Sequence, residues 1–243
     1  AAGTAGSGEM TPRFSIVTPV YDPPAEVLRE TIASVTAQTF DDWELCLVDD
    51  CSPSPHVADV LAEAAQSDAR VRIARREANG GIVAASNDAL AMAHGEFVVL
   101  LDHDDTLHPE ALRLVDDALT ATPEADYLYS DENKIDGHGR LSGPFYKPDW
   151  SPERFRTQMY TCHVAVLRRS LVEEVGGFDP AFEGSQDWDL ALRVTERARR
   201  VVHVPHVLYH WRLLAGSTAA EGEAAKPYAY DAGTRALQAH CER

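Results

Sequence analysis

No apolar run in this 243-residue sequence approaches the roughly 20 residues that a membrane-spanning helix needs. Positive charge is scarce: 22 Lys and Arg stand against 39 Asp and Glu, for a net charge of −17. The basic residues form nothing longer than a pair such as Arg199-Arg200. A polyanionic partner would be repelled by such a field, so nucleic acid drops out as a partner. The surplus carboxylates are instead available to divalent cations. Cysteines number only four, Cys46, Cys51, Cys162 and Cys241, with no C-x-x-C pair. That excludes a disulfide scaffold, favours a reduced cytosolic setting and suggests buried small hydrophobes. The opening residues show no charged-then-apolar leader. The stretch over residues 1–11 reads as a flexible linker, expected of a removed tag or of a domain cut from a longer polypeptide.

What remains is ordinary globular composition, with 25% charged and 44% hydrophobic residues in a chain long enough for a sizeable core. Short apolar runs alternate with helical stripes up to about residue 120. Phe14 onward, Trp43 to Val48, Val71 to Ile73 and Phe97 to Leu101 read as strands. Between them, Leu28/Ile32/Val35, Val57/Val60/Leu61 and Ile82/Ala85/Ala89 mark helix faces, with Gly95 as a helix stop and Pro109 opening the next helix. This rhythm predicts an α/β fold, a mostly parallel sheet with helices on both faces, whose ligands bind beyond the carboxyl ends of the strands. Later, Tyr127 to Tyr129, His163 to Leu167 and Val201 to Val204 are strand-like. Residues 137–157 lack periodicity and are expected to form a loop lining a substrate site.

The sharpest chemical feature is Asp102-His103-Asp104-Asp105, directly after the apolar strand. In an extended segment Asp102 and Asp104 would project together while His103 faces away, and two carboxylates there suit a hard divalent cation. A solvated acidic turn, with Asp105 capping the next helix, is the plainer alternative. Asp102-x-Asp104-x-Thr106 also fits a haloacid-dehalogenase-like phosphatase with Asp102 as nucleophile, although three βα units precede it here. Asp49-Asp50 ends the second strand, where a carboxylate can accept the imide N–H of uracil or thymine, or simply build a turn. A helix from near Ser185 would turn Asp187 inward with Leu190, Ala191 and Val194, and turn Asp189 away. Its first turn favours an ionised acid, fit for a base or only for the helix dipole. His210 has the chemistry to complete a metal shell, and Arg212 with Ser217 in a Gly-Ser loop suits a diphosphate. Asn87 is expected to bond locally within its helix, and Arg168-Arg169 to be a solvated strand end.

In this order the residues resemble the inverting family 2 glycosyltransferases of the GT-A fold, a Rossmann-like nucleotide-diphospho-sugar transferase architecture. The pieces are Val17-Thr-Pro-Val-Tyr21, Val48-Asp-Asp-Cys-Ser52, Asn79-Gly-Gly81 leading to Asn87, Leu101-Asp-His-Asp-Asp105, Gly176-Gly-Phe-Asp179, Gln186-Asp187-Trp-Asp189 and Tyr209-His-Trp-Arg212. The resemblance implies a GT-A domain over residues 12–220, with 221–243 as a C-terminal helical extension. It places Pro19, Tyr21 and Asp50 on the nucleotide base and ribose. Asn79, Gly81, Asp102, His103, Arg212 and Ser217 complete the nucleotide-sugar site. It makes Asp102 and Asp104 the D-x-D element, with Asp104 the direct ligand of Mn²⁺ or Mg²⁺, His210 a third ligand and Asp187 the base. Gln186 departs from the pattern, since the residue before that base is often Glu. Tyr129-Ser-Asp-Glu132 and Phe145-Tyr-Lys147-Pro-Asp-Trp150 resemble a subgroup that builds bacterial surface polysaccharides.

The implied partners are a UDP- or dTDP-sugar donor and a glycan or lipid-linked acceptor. The implied setting is the cytoplasm, at the inner face of the membrane, within a larger multidomain glycosyltransferase. The alternatives are the phosphatase built on Asp102 and a non-catalytic carbohydrate-binding domain.

Overall fold

Alternate residues of the buried strands face opposite helical layers, as a sheet covered on both sides requires. Phe14 and Ile16 of β1 (Phe14–Val20), with Leu45 and Leu47 of β2 (Trp43–Asp49), share a core with α1 (Ala25–Thr36) and α2 (Pro55–Ser67). Val17, Cys46 and Val48 point the other way, onto Ala85 and Ala89 of α3 (Gly81–Met92). The computed structural model describes residues 11–214 and 227–243, apart from the side chain of Pro227.

Strand β3 (Val71–Arg75) pairs parallel with β2, and β4 (Phe97–Leu100) pairs parallel with β1 on its other side. The order β3-β2-β1-β4 therefore reverses at β1, and the crevice at such a switch point is where doubly wound sheets bind ligands. Beyond β4 lie β8 (Ala165–Arg168), β6 (Ala125–Ile135), β9 (Arg200–Arg212) and the two-residue β5 (Thr106–Leu107), with β7 (Leu141–Phe145) paired to β6. Among the described residues, six of the nine strands point one way; β5, β7 and β8 oppose them. The expected α/β sheet is present. Helix α4 (Ala111–Ala121) joins the α1 side. On the α3 side, α6 (Arg169–Glu174), α7 (Gln186–Thr195) and α8 (Pro227–Glu242) pack around Tyr127, Leu167, Leu190 and Ala236.

Several elements differ from expectation for identifiable reasons. Strand β6 runs on through Ser130, Asp131, Glu132 and Asn133, four buried polar residues that conceal a strand in the sequence. Its partner β9 is one strand from Arg200 to Arg212, paired parallel along its length. The stretch 137–157 contains β7 and the short helix α5 (Pro152–Phe155); β7 is mostly exposed, so it carries no alternation. Pro109 precedes α4 by two residues instead of opening it. Gly95 serves close approach more than helix termination, since a Cβ there would lie 2.6 Å from the backbone nitrogen of Ser15. Asn87 bonds at long range, donating to Phe178 O and accepting from Phe178 N. Arg168 and Arg169 are clamps: Arg168 donates to Asp126 and to the carbonyl of Ala125, and Arg169 to the carbonyl of Gly95. Of the cysteines, all free, only Cys46 is fully buried.

Candidate active site

The carboxyl ends of β1, β2 and β4 lie side by side, and the chain leaves each in a tight turn. Asp22 and Cys51 adopt left-handed conformations at φ 49° and 60°, and the loops interlock: Ser52 Oγ accepts from Asp22 N, and Asp22 Oδ1 accepts from Ser54 N. Asp49 is buried, accepting from Ser52 N and pairing with Arg75 at 3.0 Å. The Asp50 carboxylate accepts from Gly80 N and Gly81 N, each at 2.9 Å, and from Arg76 at 2.8 Å, while Asn79 donates to the Asp50 carbonyl. Asp50 thus ties the head of α3 to β2, and Gly81, at φ +83°, has the conformation that glycine tolerates. These donors fill most of the acceptor capacity expected to be open to a base imide. Tyr21 is exposed beside this rim, and Pro19 is half-buried with its carbonyl 3.1 Å from His103 Nδ1.

After β4 the backbone turns at once, with Asp105 N donating to Asp102 O at 3.3 Å. Strand alternation therefore does not place the acids; the turn does, and it adds a third. Ligand oxygens of Asp102, Asp104 and Asp105 lie within 4.8 Å of one another. Asp105 is fully buried and held: Tyr209 Oη donates to Oδ2 at 2.6 Å and Arg212 N to Oδ1 at 2.7 Å. It does not cap α4, whose N-cap is Glu110. Burial, then the charges of Asp104 and Asp102, pushes the Asp105 carboxyl well above the usual range. Burial also raises Asp102; His163 and His103 oppose the shift, and Asp104 and Asp187 add to it. Three crowded carboxylates resist joint ionisation without a cation, and an all-oxygen donor set suits a hard divalent ion. Asp102 and Asp104 fit as ligands, with Asp105 fixed behind them.

Asp187 enters from α7. It is half-buried in the first turn, and its charge reaches both Asp102 and Cys162. Gln186 Oε1 accepts from Gly184 N at 2.8 Å, a bond that either Gln or Glu can make. Asp189 turns away from the site as expected, into a buried pair with Arg193, which in turn donates to the carbonyls of Val175 and Gly177.

Two expected residues lie elsewhere. Strand alternation along β9 puts Tyr209 on the aspartate side and His210 on the other, where its Nδ1 is 2.6 Å from Asn133 Oδ1 and its ring is edge-on to His108. Burial and His108 lower its pKa to about 4, so it is a neutral, packed imidazole outside the acid cluster. Arg212 is buried beneath the turn, donating to Asp104 O and pairing with Glu30 at 2.7 Å. It shapes the acidic turn and is not free for a diphosphate. Ser217 lies outside the described residues.

The histidine that the fold does bring to the acids is His163, just before β8. Its ring stacks on Tyr209 at 4.5 Å between centroids, with Nδ1 3.4 Å from Glu132 Oε2. Burial works against its charge, but Glu132, Asp102 and Asp105 outweigh it and raise the pKa to about 9. Lys147, its side chain fully buried, donates to Glu132 at 3.1 Å and to the His163 carbonyl at 2.7 Å. Sequence reasoning missed this network. The one available signal was the Glu132 and Lys147 motifs, whose significance depends on β6 running past its apolar start.

Residues 15–176 match Glycosyl transferase family 2. The chain belongs to that family. The match takes in β1, β2 and β4, and with the family shown the phosphatase alternative built on Asp102 is set aside. The O-antigen biosynthesis protein RfbC of Myxococcus xanthus is 42% identical over 232 residues, covering 96% of this chain and 18% of that protein. The chain spans about a quarter or less of the curated relatives it matches first. Among solved structures, S. aureus TarS 1-349 in complex with UDP-GlcNAc superposes with a TM-score of 0.74 at 21% identity, covering 94% of this chain and 66% of that one. The mannosyltransferase PcManGT from Pyrobaculum calidifontis, in complex with GDP-Man and Mn²⁺, gives 0.63 at 20% identity, covering 83% and 57%. Both likenesses concern the GT-A fold. Among the described residues, no helix is long and apolar enough to cross a membrane.

Proposed function

We propose that this family 2 domain is a metal-dependent inverting glycosyltransferase, using a UDP- or dTDP-sugar donor and a hydroxyl of a glycan or lipid-linked acceptor. The setting we assign is bacterial cell-surface polysaccharide synthesis, at the cytoplasmic face of the membrane and within a longer polypeptide. The observation that carries the reading is the gathering of Asp102, Asp104 and Asp105 within 4.8 Å at the switch point, with Asp187 near enough to perturb Asp102. RfbC, by its name, works in O-antigen biosynthesis, and the two structural neighbours hold UDP-GlcNAc and GDP-Man, which supports a nucleotide-sugar donor.

Asp102 and Asp104 would hold the Mn²⁺ or Mg²⁺ ion. When bound, that ion supplies neutralising charge to the departing nucleoside diphosphate. Asp105, locked by Tyr209 and the Arg212 backbone, keeps the turn in shape. Asp50, Asn79 and Gly81 form the rim beside which Pro19 and Tyr21 take the base and ribose, and His103 braces the Asp turn against Pro19. Asp187, at the start of α7, accepts the proton of the acceptor hydroxyl as the hydroxyl oxygen bonds to the anomeric carbon from the face opposite the diphosphate, inverting that centre. Calorimetric titration of UDP in chelator and in Mn²⁺ tests the metal assignment. Binding is expected to strengthen by at least about tenfold with the ion; equal affinity in both would remove the role given to Asp102 and Asp104.

A further inference from the structure

We propose that His163 donates a hydrogen bond from Nε2 to the diphosphate of the nucleotide donor, on the side of the pocket facing the aspartate turn. The inference rests on the donor chemistry proposed above. Strands β4 and β8 are antiparallel with Leu100 opposite Ala165, so Asp102 and His163 leave the sheet at the same end, and the His163 ring stacks on Tyr209, whose hydroxyl donates to Asp105 and accepts from the Asp102 amide. Cys162, immediately before it, feels Asp187 more than any other charge.

The ring is held on several sides. Its Nδ1 edge faces Glu132, its face stacks on Tyr209, and its backbone nitrogen donates to Glu132 while its carbonyl accepts from Lys147. A histidine's two nitrogens are distinct, and a ring held by stacking gives each a defined direction. Nδ1 is buried at 3.4 Å from Glu132 without a hydrogen bond, the side chain is partly exposed, and among the described residues no hydrogen bond is made by Nε2. A clamped donor beside a cation site suits a phosphate oxygen; a residue needed only for packing has no use for charges on three sides.

The test compares UDP with uridine, which lacks the phosphates, in titrations with Mg²⁺. Asparagine reproduces the Nδ1 side of histidine and keeps the Glu132 contact; glutamine reaches the Nε2 position. His163→Asn is expected to weaken UDP by about tenfold or more and leave uridine unchanged, and His163→Gln is expected to retain most of the affinity. The reverse order, or two variants that bind UDP like the wild type, overturns the proposal. Should either variant unfold, the wild type still decides: with ¹⁵N-labelled histidine, the Nε2 resonance of His163 is expected to shift with UDP and not with uridine. No shift with bound UDP overturns the inference alone. A folded wild type that binds no nucleoside diphosphate overturns the donor chemistry as well.

Discussion

Asp187 and Asp189 stand two positions apart on α7 and meet different surroundings. Asp187 faces the acids of the switch point, whereas Asp189 is fully buried against Arg193. Leu190, Ala191 and Val194 display the helix stripe in the sequence, which is why the site-facing side of α7 was legible. The burial of Asp189 was not, because it depends on the carbonyls of Val175 and Gly177 that Arg193 reaches from a separate segment. Asp189→Asn keeps the shape but leaves the guanidinium without its counter-charge, and is expected to lower unfolding free energy by about 3 kcal/mol. Urea unfolding measures it, while nucleotide affinity in the folded variant should match the wild type. A variant as stable as the wild type would show that the pair contributes nothing. His210 teaches the converse lesson: one step along β9 separates it from Tyr209, and strand parity decides which of the two meets the aspartates.

Among the elements, β1, β2 and β4 were readable because they are buried runs rich in Val, Leu, Ile and Phe, followed by turn residues. Strands β6 and β9 were readable only at their apolar starts. Beyond those, buried Asp, Glu, Asn and His are tolerated because partners on other elements satisfy them. Asp126, on β6, holds two such partners, Arg168 of β8 and the Arg199 side chain and backbone leading into β9. Burial opposes its charge, but these bonds win and bring its pKa down to about 2. A folded pKa below the unfolded value of about 3.9 gives stability that is complete above that value and lost as pH falls through the folded one. The contribution is on the order of 2 kcal/mol, kept modest because Arg199 is half exposed to solvent. The stability difference between wild type and Asp126→Asn is therefore expected to be constant from pH 8 to about 5 and to shrink between about 4 and 2. A difference independent of pH across that range would contradict the assignment.

At the scale of the molecule, the sheet order places the ends of β1, β2 and β4 at one crevice, and α7 brings Asp187 to its mouth. Ordered motifs made the family and the acidic turn legible from sequence. The buried group of His163, Lys147 and the Glu132 that both face was not, because these residues meet only once β6, β8 and the segment after β7 are assembled. The central claim is that donor binding and proton removal belong to different residues of this crevice. Asp187→Asn separates them, since an amide keeps the size of the side chain but cannot take a proton. The direct measurement is nucleoside diphosphate release from the sugar donor in the presence of acceptor, alongside the affinity of the same variant for UDP with Mn²⁺. The account predicts a loss of about 10²–10⁴ in turnover at nearly unchanged affinity. Turnover at the wild-type rate, or a loss explained wholly by weaker donor binding, would contradict it.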